Sequence, residues 1–175
     1  EGVARATRLV QQLLTIARLD PDAHDKPMSE FNLATVAQAS VEELSVSAEA
    51  KGITLTHNCT DVTMLGMKDA IGLMITNLTD NAIRYTPEGG RIEVAVRDDG
   101  DCHAVITVTD NGPVRTKAEI DAFLVPLRSE KSGGLGLGLA IVRRIIEAYG
   151  GTIVFDVVEP QGVRVEARLP ARPDL

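Results

Sequence analysis

Four polar residues with helical spacing form a group that could bind a metal-chelated phosphate. Asn77, Asn81, Arg84 and Tyr85 lie at positions i, i+4, i+7 and i+8, so in a helix they share one face. Asparagine is unfavourable inside a helix because its side chain competes for backbone hydrogen bonds. Its amide oxygen is a ligand for hard cations such as Mg²⁺, and an arginine one turn further on can contact phosphate oxygens. An ordinary solvated helix face explains the same residues, and spacing alone favours that explanation.

A glycine-rich stretch at residues 133–138 leads directly into an apolar segment that predicts a helix. Glycines let the backbone approach an anion closely, and the free N–H groups at the start of a helix favour phosphate. The stretch is not a P-loop, because apolar residues stand where lysine and serine or threonine would follow. It is not a dinucleotide-binding fingerprint either, since Gly134, Gly136 and Gly138 are spaced by two. A flexible glycine hinge remains the alternative for this stretch taken alone.

The segment Asp110-Asn111-Gly112 follows a predicted strand. A carboxylate at that position could face a pocket and accept a hydrogen bond from an amino group such as that of adenine. Asp-Asn-Gly is also common at hairpin turns, and a plain turn is the better explanation when the segment is considered by itself.

Length and composition bound the class of protein. The 175 residues, 44% of them hydrophobic and 25% charged, suit one globular domain with a short appendage. The formal charge of −7 and the scarcity of aromatic residues argue against nucleic-acid binding. Cys59 and Cys102 are far apart and form no metal or redox motif. No apolar run is long enough to predict a membrane span, so we expect no direct membrane contact. Because the chain begins at Glu1, we expect a fragment of a longer protein.

Hydrophobic periodicity predicts the elements that position these groups. Helices are expected at residues 1–20, 33–50, 69–85 and 135–149. Strands are expected at residues 53–57, 62–66, 91–97, 104–109, 152–158 and 163–169. Asn32 and Asp69 are predicted to cap the second and third helices, and residues 110–134 read as a loop. The pattern predicts an α+β sandwich with a mixed, mainly antiparallel sheet and helices on one face.

Taken together, the three groups resemble the ATP-binding domain of sensor histidine kinases, within the GHKL superfamily of gyrase-type ATPases, MutL-type repair proteins and histidine kinases. Residues 77–87 resemble the N box of that family, residues 110–112 its first glycine box and residues 134–142 its second. The order and spacing of the boxes are more specific than any one box. The resemblance implies three parts: half of the dimerisation and phosphoacceptor hairpin at 1–20, a linker at 21–30, and an ATP-binding kinase domain of the Bergerat or GHKL fold at 31–172.

The resemblance also implies roles for the residues of the N box and the first glycine box. Asn81 would hold Mg²⁺, and Asn77 beside it would orient the phosphates or bound water. Arg84 would touch phosphate, and Tyr85 would lie near the adenine or the ribose. Asp110 would accept the adenine amino group, and the adjoining Gly112 would let the base lie close.

Further roles follow for the second glycine box and for the lid implied at residues 113–133. Backbone groups would contact the phosphates at Gly134, Leu135, Gly136, Leu137 and Gly138. Within the lid, Arg128 or Lys131 could reach the terminal phosphate. The catalytic residues that the resemblance implies are Asn77, Arg84 and Lys131.

The implied activity is that of a protein-histidine kinase that uses ATP and Mg²⁺ and then passes the phosphoryl group to an aspartate of a response regulator. His24, His57 and His103 all lack the family's phosphoacceptor context, so the acceptor is expected on an upstream hairpin helix of the same protein. The resemblance further implies a homodimeric parent and a cytoplasmic position, as part of a membrane-bound sensor.

Two alternatives remain open. A gyrase-type ATPase carries glutamate where Asn77 stands, as the base for the hydrolytic water, and asparagine cannot take a proton, which favours the kinase. Val114 stands where the first glycine box usually has a second glycine and cannot supply the same hinge freedom. With the acceptor histidine missing, this departure leaves open a regulatory module that binds nucleotide without turnover.

Overall fold

The computed structural model of the protein describes residues 2–113, 116–123, 135–173 and 175, and these contain five helices and seven strands. The helices are α1 (Gly2–Ala17), α2 (Leu33–Ala50), α3 (Lys68–Tyr85), α4 (Lys117–Phe123) and α5 (Leu135–Tyr149). The strands are β1 (Ser29–Asn32), β2 (Thr54–Cys59), β3 (Thr63–Gly66), β4 (Arg91–Asp98), β5 (His103–Asp110), β6 (Thr152–Val157) and β7 (Val163–Pro170).

Five of these strands form one sheet in the order β2-β4-β5-β7-β6. Only the β2–β4 pair is parallel within that sheet, and the other three pairs are antiparallel. Strands β1 and β3 form a separate antiparallel pair. The prediction of a mixed, mainly antiparallel sheet is therefore confirmed.

One face of the sheet carries the hydrophobic core. Alternate residues of β4 are buried while those between them are mostly polar, as a half-solvated strand requires. Strand β5 follows the same alternation except that Val105, on its other face, is buried as well. Helices α2, α3 and α5 cover the buried face. The core residues contributed by the central strands and by α3 include Ile92, Val94, Ile106, Val108, Ile71, Met74 and Ile75. Each such side chain stabilises the fold by about 1.5–3 kcal/mol, and together they hold α3 and α5 side by side over the sheet.

Of the two predicted helix caps, the one at the start of α2 is found in the structure and the one at the start of α3 is not. Asn32 caps α2 as predicted, because its side-chain oxygen accepts a hydrogen bond from the Ala34 N–H. The predicted cap at Asp69 is wrong: the cap residue is Met67, two residues earlier, α3 begins at Lys68, and Asp69 lies in the first turn. Methionine has no capping group, and the phenol of Tyr149 bonds to the backbone of Met67 instead.

Two segments that read as irregular contain regular structure. Strand β1 takes in Ser29 and Glu30, the last two residues of the predicted linker. Helix α4 lies inside the predicted loop at residues 110–134, which is a correction of that prediction. Thr116 and Glu119 form a reciprocal capping box at its start, with the Thr116 N–H 2.7 Å from Glu119 Oε2 and the Glu119 N–H 3.2 Å from Thr116 Oγ1.

In the described part of the chain, none of the helices is long and apolar enough to cross a membrane.

Candidate nucleotide-binding site

The two amides of α3 lie against the first turn of α5. A Cβ atom built on Gly138 would lie 3.1 Å from Asn77 Oδ1 and 3.8 Å from Asn81 Oδ1. The shorter distance is tighter than an ordinary contact, so a side chain at this position would require the Asn77 amide to shift by a few tenths of an ångström. Helix α3 therefore presents both amide oxygens to the backbone of the second glycine-rich segment.

The orientation of the Asn77 amide follows from its hydrogen bond. Its Nδ2 donates to the Leu73 carbonyl, one turn earlier on α3, at 2.8 Å. The nitrogen is therefore turned towards its own helix, and the oxygen is the atom that faces Gly138. An amide oxygen in this position can accept hydrogen bonds or bind a cation, but it cannot remove a proton from water.

A mostly apolar cavity lies between α3, the sheet and α5. Among the described residues that line it, two have wholly polar side chains, Asn81 from α3 and Asp110 from the end of β5. The other described lining residues are Leu78, Ala82, Tyr85, Val108, Pro113, Leu139, Phe155, Val163 and Val165. Flat apolar walls with a few convergent polar groups suit a heteroaromatic ring, which needs both stacking surface and directed hydrogen bonds.

Local backbone groups fix the carboxylate of Asp110. Its Oδ1 accepts hydrogen bonds from the Gly112 N–H at 2.8 Å and from the Val163 N–H at 3.4 Å. A Cβ at Gly112 would lie 2.9 Å from that oxygen, so a side chain there would displace the carboxylate. Gly162, with φ at +118°, lets the β6–β7 turn press against the Asp110 carbonyl, which a Cβ would overlap.

Asn111 holds the end of β5 in place. Its Oδ1 accepts from the Arg91 N–H at 2.7 Å, its own N–H donates to the Arg91 carbonyl at 3.2 Å, and Gln161 Nε2 donates to its carbonyl at 2.9 Å. Because the element after Asp110 is α4, the Asp-Asn-Gly segment is not the hairpin turn that it suggests by itself. Sequence reasoning missed the supporting roles of Asn111, Gln161 and Gly162.

The remaining predicted site residues of α3 lie in different places. Tyr85 lines the cavity with Asn81 and Asp110. Arg84 does not line it, and its Nη2 lies 3.4 Å from Asp80 Oδ2 in an exposed pair one turn apart. Asp80 and Asn77 also line a broad groove between α1, α2 and the first half of α3. Helix α3 therefore borders the cavity with one of its faces and the groove with the adjacent face.

The glycine-rich segment and the implied lid lie partly outside the described residues. Arg128, Lys131 and Gly134 are outside them, and so is Val114. Leu135, Gly136, Leu137 and Gly138 form the first turn of α5, as the sequence predicts. At the other end of the lid, α4 packs on the edge strand β6, because Ile120 is fully buried and Lys117 Nζ donates to the Phe155 carbonyl at 3.0 Å.

Tyr149 joins the far ends of the two site helices. Its hydroxyl accepts from the Met67 N–H at 2.7 Å and lies 3.4 Å from the Met67 carbonyl, so the end of α5 is fixed to the start of α3. A Cβ at Gly66 would lie 2.5 Å from the same hydroxyl. Burial raises the pKa of Tyr149 to about 12, because it penalises the phenolate more than the hydrogen bond from Met67 favours it. The sequence analysis also missed the role of Tyr149. The signal available for it was a tyrosine, an aromatic residue with a hydroxyl group, directly before the two glycines that end α5.

A comparison with known families bears on this arrangement. Residues 66–173, which include the two amides, Asp110 and the glycine-rich segment, match the family described as histidine kinase-, DNA gyrase B-, and HSP90-like ATPase. The match covers more than half of the chain and runs from β3 to just beyond the last strand.

Individual relatives give a consistent result. The sensor protein kinase PmrB of Pseudomonas aeruginosa is 38% identical over 99% of this chain, which spans only 37% of PmrB. The solved cytoplasmic segment of histidine kinase QseC is 30% identical, with a TM-score of 0.66 over 97% of this chain and 95% of that one. The mycobacterial sensor histidine kinase MprB is 27% identical, with a TM-score of 0.72 over 83% of this chain and 99% of that one.

The matched residues carry the site, and the solved relatives reproduce its scaffold. The chain belongs to the family of histidine kinase-, DNA gyrase B- and HSP90-like ATPases, as an ATP-binding catalytic domain of the sensor histidine kinase type.

Proposed function

We propose that this domain binds ATP with Mg²⁺ and transfers the γ-phosphoryl group to a histidine on an upstream hairpin helix of the same protein. The observation that carries the proposal is the approach of the Gly138 backbone to the oxygens of Asn77 and Asn81, beside a cavity that Asn81 shares with Asp110. The helices α3 and α5 and the end of β5 can thus bind the phosphate chain and the base of one nucleotide at the same time.

At the adenine end, Asp110 accepts a hydrogen bond from the exocyclic amino group of the base. Guanine has a carbonyl at the corresponding position, and two acceptors facing each other repel, so the carboxylate selects adenine. The N–H groups of Gly112 and Val163 stabilise the ionised acceptor. The ring of Tyr85 and the apolar side chains of the cavity cover the base or the ribose.

At the phosphate end, the amide oxygen of Asn81 is suited to hold Mg²⁺. The fit is supported by the space beside Asn81 Oδ1 that the missing side chain of Gly138 leaves and by the oxygen chemistry that Mg²⁺ prefers. When bound, Mg²⁺ neutralises charge that develops on the phosphate oxygens during transfer. The oxygen of Asn77 is held towards the same region by the bond of its nitrogen to Leu73 and orients the phosphates or a water.

The N-terminal turn of α5 provides the anion-binding backbone. Gly136, Leu137 and Gly138 lie in the first turn of a helix of 15 residues, whose free N–H groups and positive end favour phosphate. We assign the same function to Gly134 and Leu135, and charge stabilisation to Arg84 with Arg128 or Lys131. Asn77 cannot act as a base, so these groups favour transfer to a separate nucleophile over hydrolysis. In that transfer the bond from the γ-phosphorus to the bridging oxygen breaks, a bond to a histidine nitrogen forms, and ADP leaves.

Helix α1 supports a homodimeric parent. Its apolar side chains Val3, Val10 and Leu13 are 81%, 54% and 62% exposed, although they follow the spacing of a bundle seam. We propose that the rest of the hairpin and a second copy cover this face. We further propose a cytoplasmic position within a membrane-bound sensor and, as the final acceptor, an aspartate of a response regulator.

The test is transfer from radiolabelled ATP to a separately supplied hairpin domain of the parent protein. Label on a histidine of the hairpin supports the kinase. Free phosphate without labelled hairpin would instead indicate a gyrase-type ATPase, and nucleotide binding without either product would indicate a regulatory module. A hairpin with its acceptor histidine replaced by alanine is the control for labelling elsewhere.

A further inference from the structure

We propose that Lys51 is a positioning residue for the adenine end of the site, acting through the last turn of α3. Its Nζ donates hydrogen bonds to the carbonyl oxygens of Ile83 at 2.7 Å and Arg84 at 2.8 Å. This inference rests on the proposed function and deepens it, because Tyr85, the next residue along, lines the cavity assigned to adenine.

The contact satisfies groups that a helix cannot satisfy by itself. The last four carbonyls of a helix have no N–H partner within it. In α3 the Ala82 carbonyl accepts from the Thr86 N–H at 2.9 Å, and the next two carbonyls are those that Lys51 holds. The ammonium group also lies at the negative end of the helix dipole, where a cation is stabilising.

The backbone around Lys51 is held to the same part of the fold. Lys51 is the C-terminal cap residue of α2, and Gly52 follows it with φ at +66°. The Gly52 carbonyl accepts from the Gly89 N–H at 3.1 Å, and the Thr54 N–H donates to the Gly90 carbonyl at 3.0 Å. The turn after α2 is thus fixed to the turn after α3, and the lysine side chain bridges them a third time.

The consequence differs between the two ends of the site. Without the ammonium group the last turn of α3 loses two hydrogen bonds, and Tyr85 is the site residue in that turn. Asn81 lies one turn earlier, where its oxygen packs near Gly138 of α5. Removing the charge of Lys51 should therefore disturb contacts with the base and leave unchanged the increase in nucleotide affinity that Mg²⁺ provides.

The experiment compares K51M and K51R with the wild type in calorimetric titrations of ADP, with and without Mg²⁺. We expect K51M to bind about tenfold more weakly under both conditions, equal to about 1.4 kcal/mol, with the ratio of the two dissociation constants unchanged. We expect K51R to recover most of the affinity, because a guanidinium can also donate to two carbonyls. The control is N32A, which removes the cap at the other end of α2 and lowers the stability of the fold without touching α3.

A spectroscopic measurement separates positioning from general stability. The chain has two tyrosines, so protein labelled with 3-fluorotyrosine gives one ¹⁹F resonance for Tyr85 and one for Tyr149. K51M should shift the Tyr85 resonance and leave that of Tyr149 unchanged, and N32A should move neither. Wild-type affinity in K51M, equal weakening in N32A, or an unmoved Tyr85 resonance would each overturn the inference. A wild-type protein that does not bind ADP would overturn the proposed function, and this inference with it.

Discussion

Replacing Gly138 with alanine tests the contact between the two site helices. The added Cβ would lie 3.1 Å from Asn77 Oδ1, where 3.4 Å is the lower end of ordinary contact, so the amide must move by about 0.3 Å. Alanine is better than glycine in a helix by about 1 kcal/mol, and mild overpacking costs about 1 kcal/mol. The free energy of unfolding should therefore change by less than about 1 kcal/mol.

Nucleotide affinity should respond far more strongly than stability to the same change. The methyl group occupies the space beside the oxygens of Asn77 and Asn81, which the proposal assigns to phosphate and Mg²⁺. We expect G138A to bind MgATP at least about tenfold more weakly, a loss of about 1.4 kcal/mol. The assay is calorimetric titration with a non-hydrolysable ATP analogue, with chemical denaturation measured on the same samples.

Gly72 provides a matched control on α3 itself. A Cβ there would lie 3.6 Å from Val36 Cγ1, which is an ordinary contact, so G72A should stabilise the fold by up to about 1 kcal/mol and leave nucleotide affinity unchanged. The reasoning is refuted if G138A binds the analogue as tightly as the wild type, or if G72A weakens binding as much as G138A does.

Further changes test the base pocket and the contact of Tyr149 with the start of α3. D110N should weaken binding of ATP at least about tenfold and reduce the preference for ATP over GTP, measured by competition, because the amide nitrogen brings a donor to the acceptor position. Y149F should lose about 1–3 kcal/mol of unfolding free energy in urea denaturation, since the buried Met67 N–H loses its hydrogen-bond acceptor. Because the folded pKa of Tyr149 is raised from about 10 to about 12, its contribution is present below pH 10 and is lost between pH 10 and 12. Wild-type stability should fall more steeply than that of Y149F in that window; parallel curves would contradict the assignment.

Much of the fold could be predicted because periodic burial determines it. The alternation in β4 and β5, the cap at Asn32 and the helix beginning at Leu135 all follow from local pattern and are found in the structure. Helix α4 was missed because its seven residues give a weak periodic signal. The Thr116-x-x-Glu119 capping box that starts it was readable in the sequence and would have found it.

The wrong cap at Asp69 and the missed supporting residues share a different physical cause, which is dependence on contacts distant in sequence. Asp69 is a good capping residue by type, yet the start of α3 is bonded by Tyr149, 82 residues away from Met67. The hydrogen bonds from Gln161 to Asn111 and from Lys51 to α3 likewise join segments separated by more than 30 residues. No local pattern signals such pairs. The candidate site residues could be named from the sequence because their side-chain chemistry is concentrated in three short segments, and their roles remain predictions.

The division of the chain at residues 20 and 30 remains a prediction, although the packing there is informative. Leu19 is 4% exposed and belongs to the main core, and Met28 packs against it. The segment between α1 and β1 is therefore tied to the kinase domain at both ends. A free linker would leave such side chains in solvent.

The account depends most directly on one site that binds adenine and Mg²⁺ together, and thermal unfolding with a non-hydrolysable ATP analogue tests it. At an analogue concentration about 100 times the dissociation constant, binding stabilises the native state by about 2.7 kcal/mol, which raises the Tm by about 5–10 °C. We predict that Mg²⁺ increases this shift in the wild type and that N81A retains a smaller shift without the Mg²⁺-dependent part. A wild-type Tm that the analogue and Mg²⁺ leave unchanged, or an N81A protein with the full Mg²⁺ effect, would contradict the account.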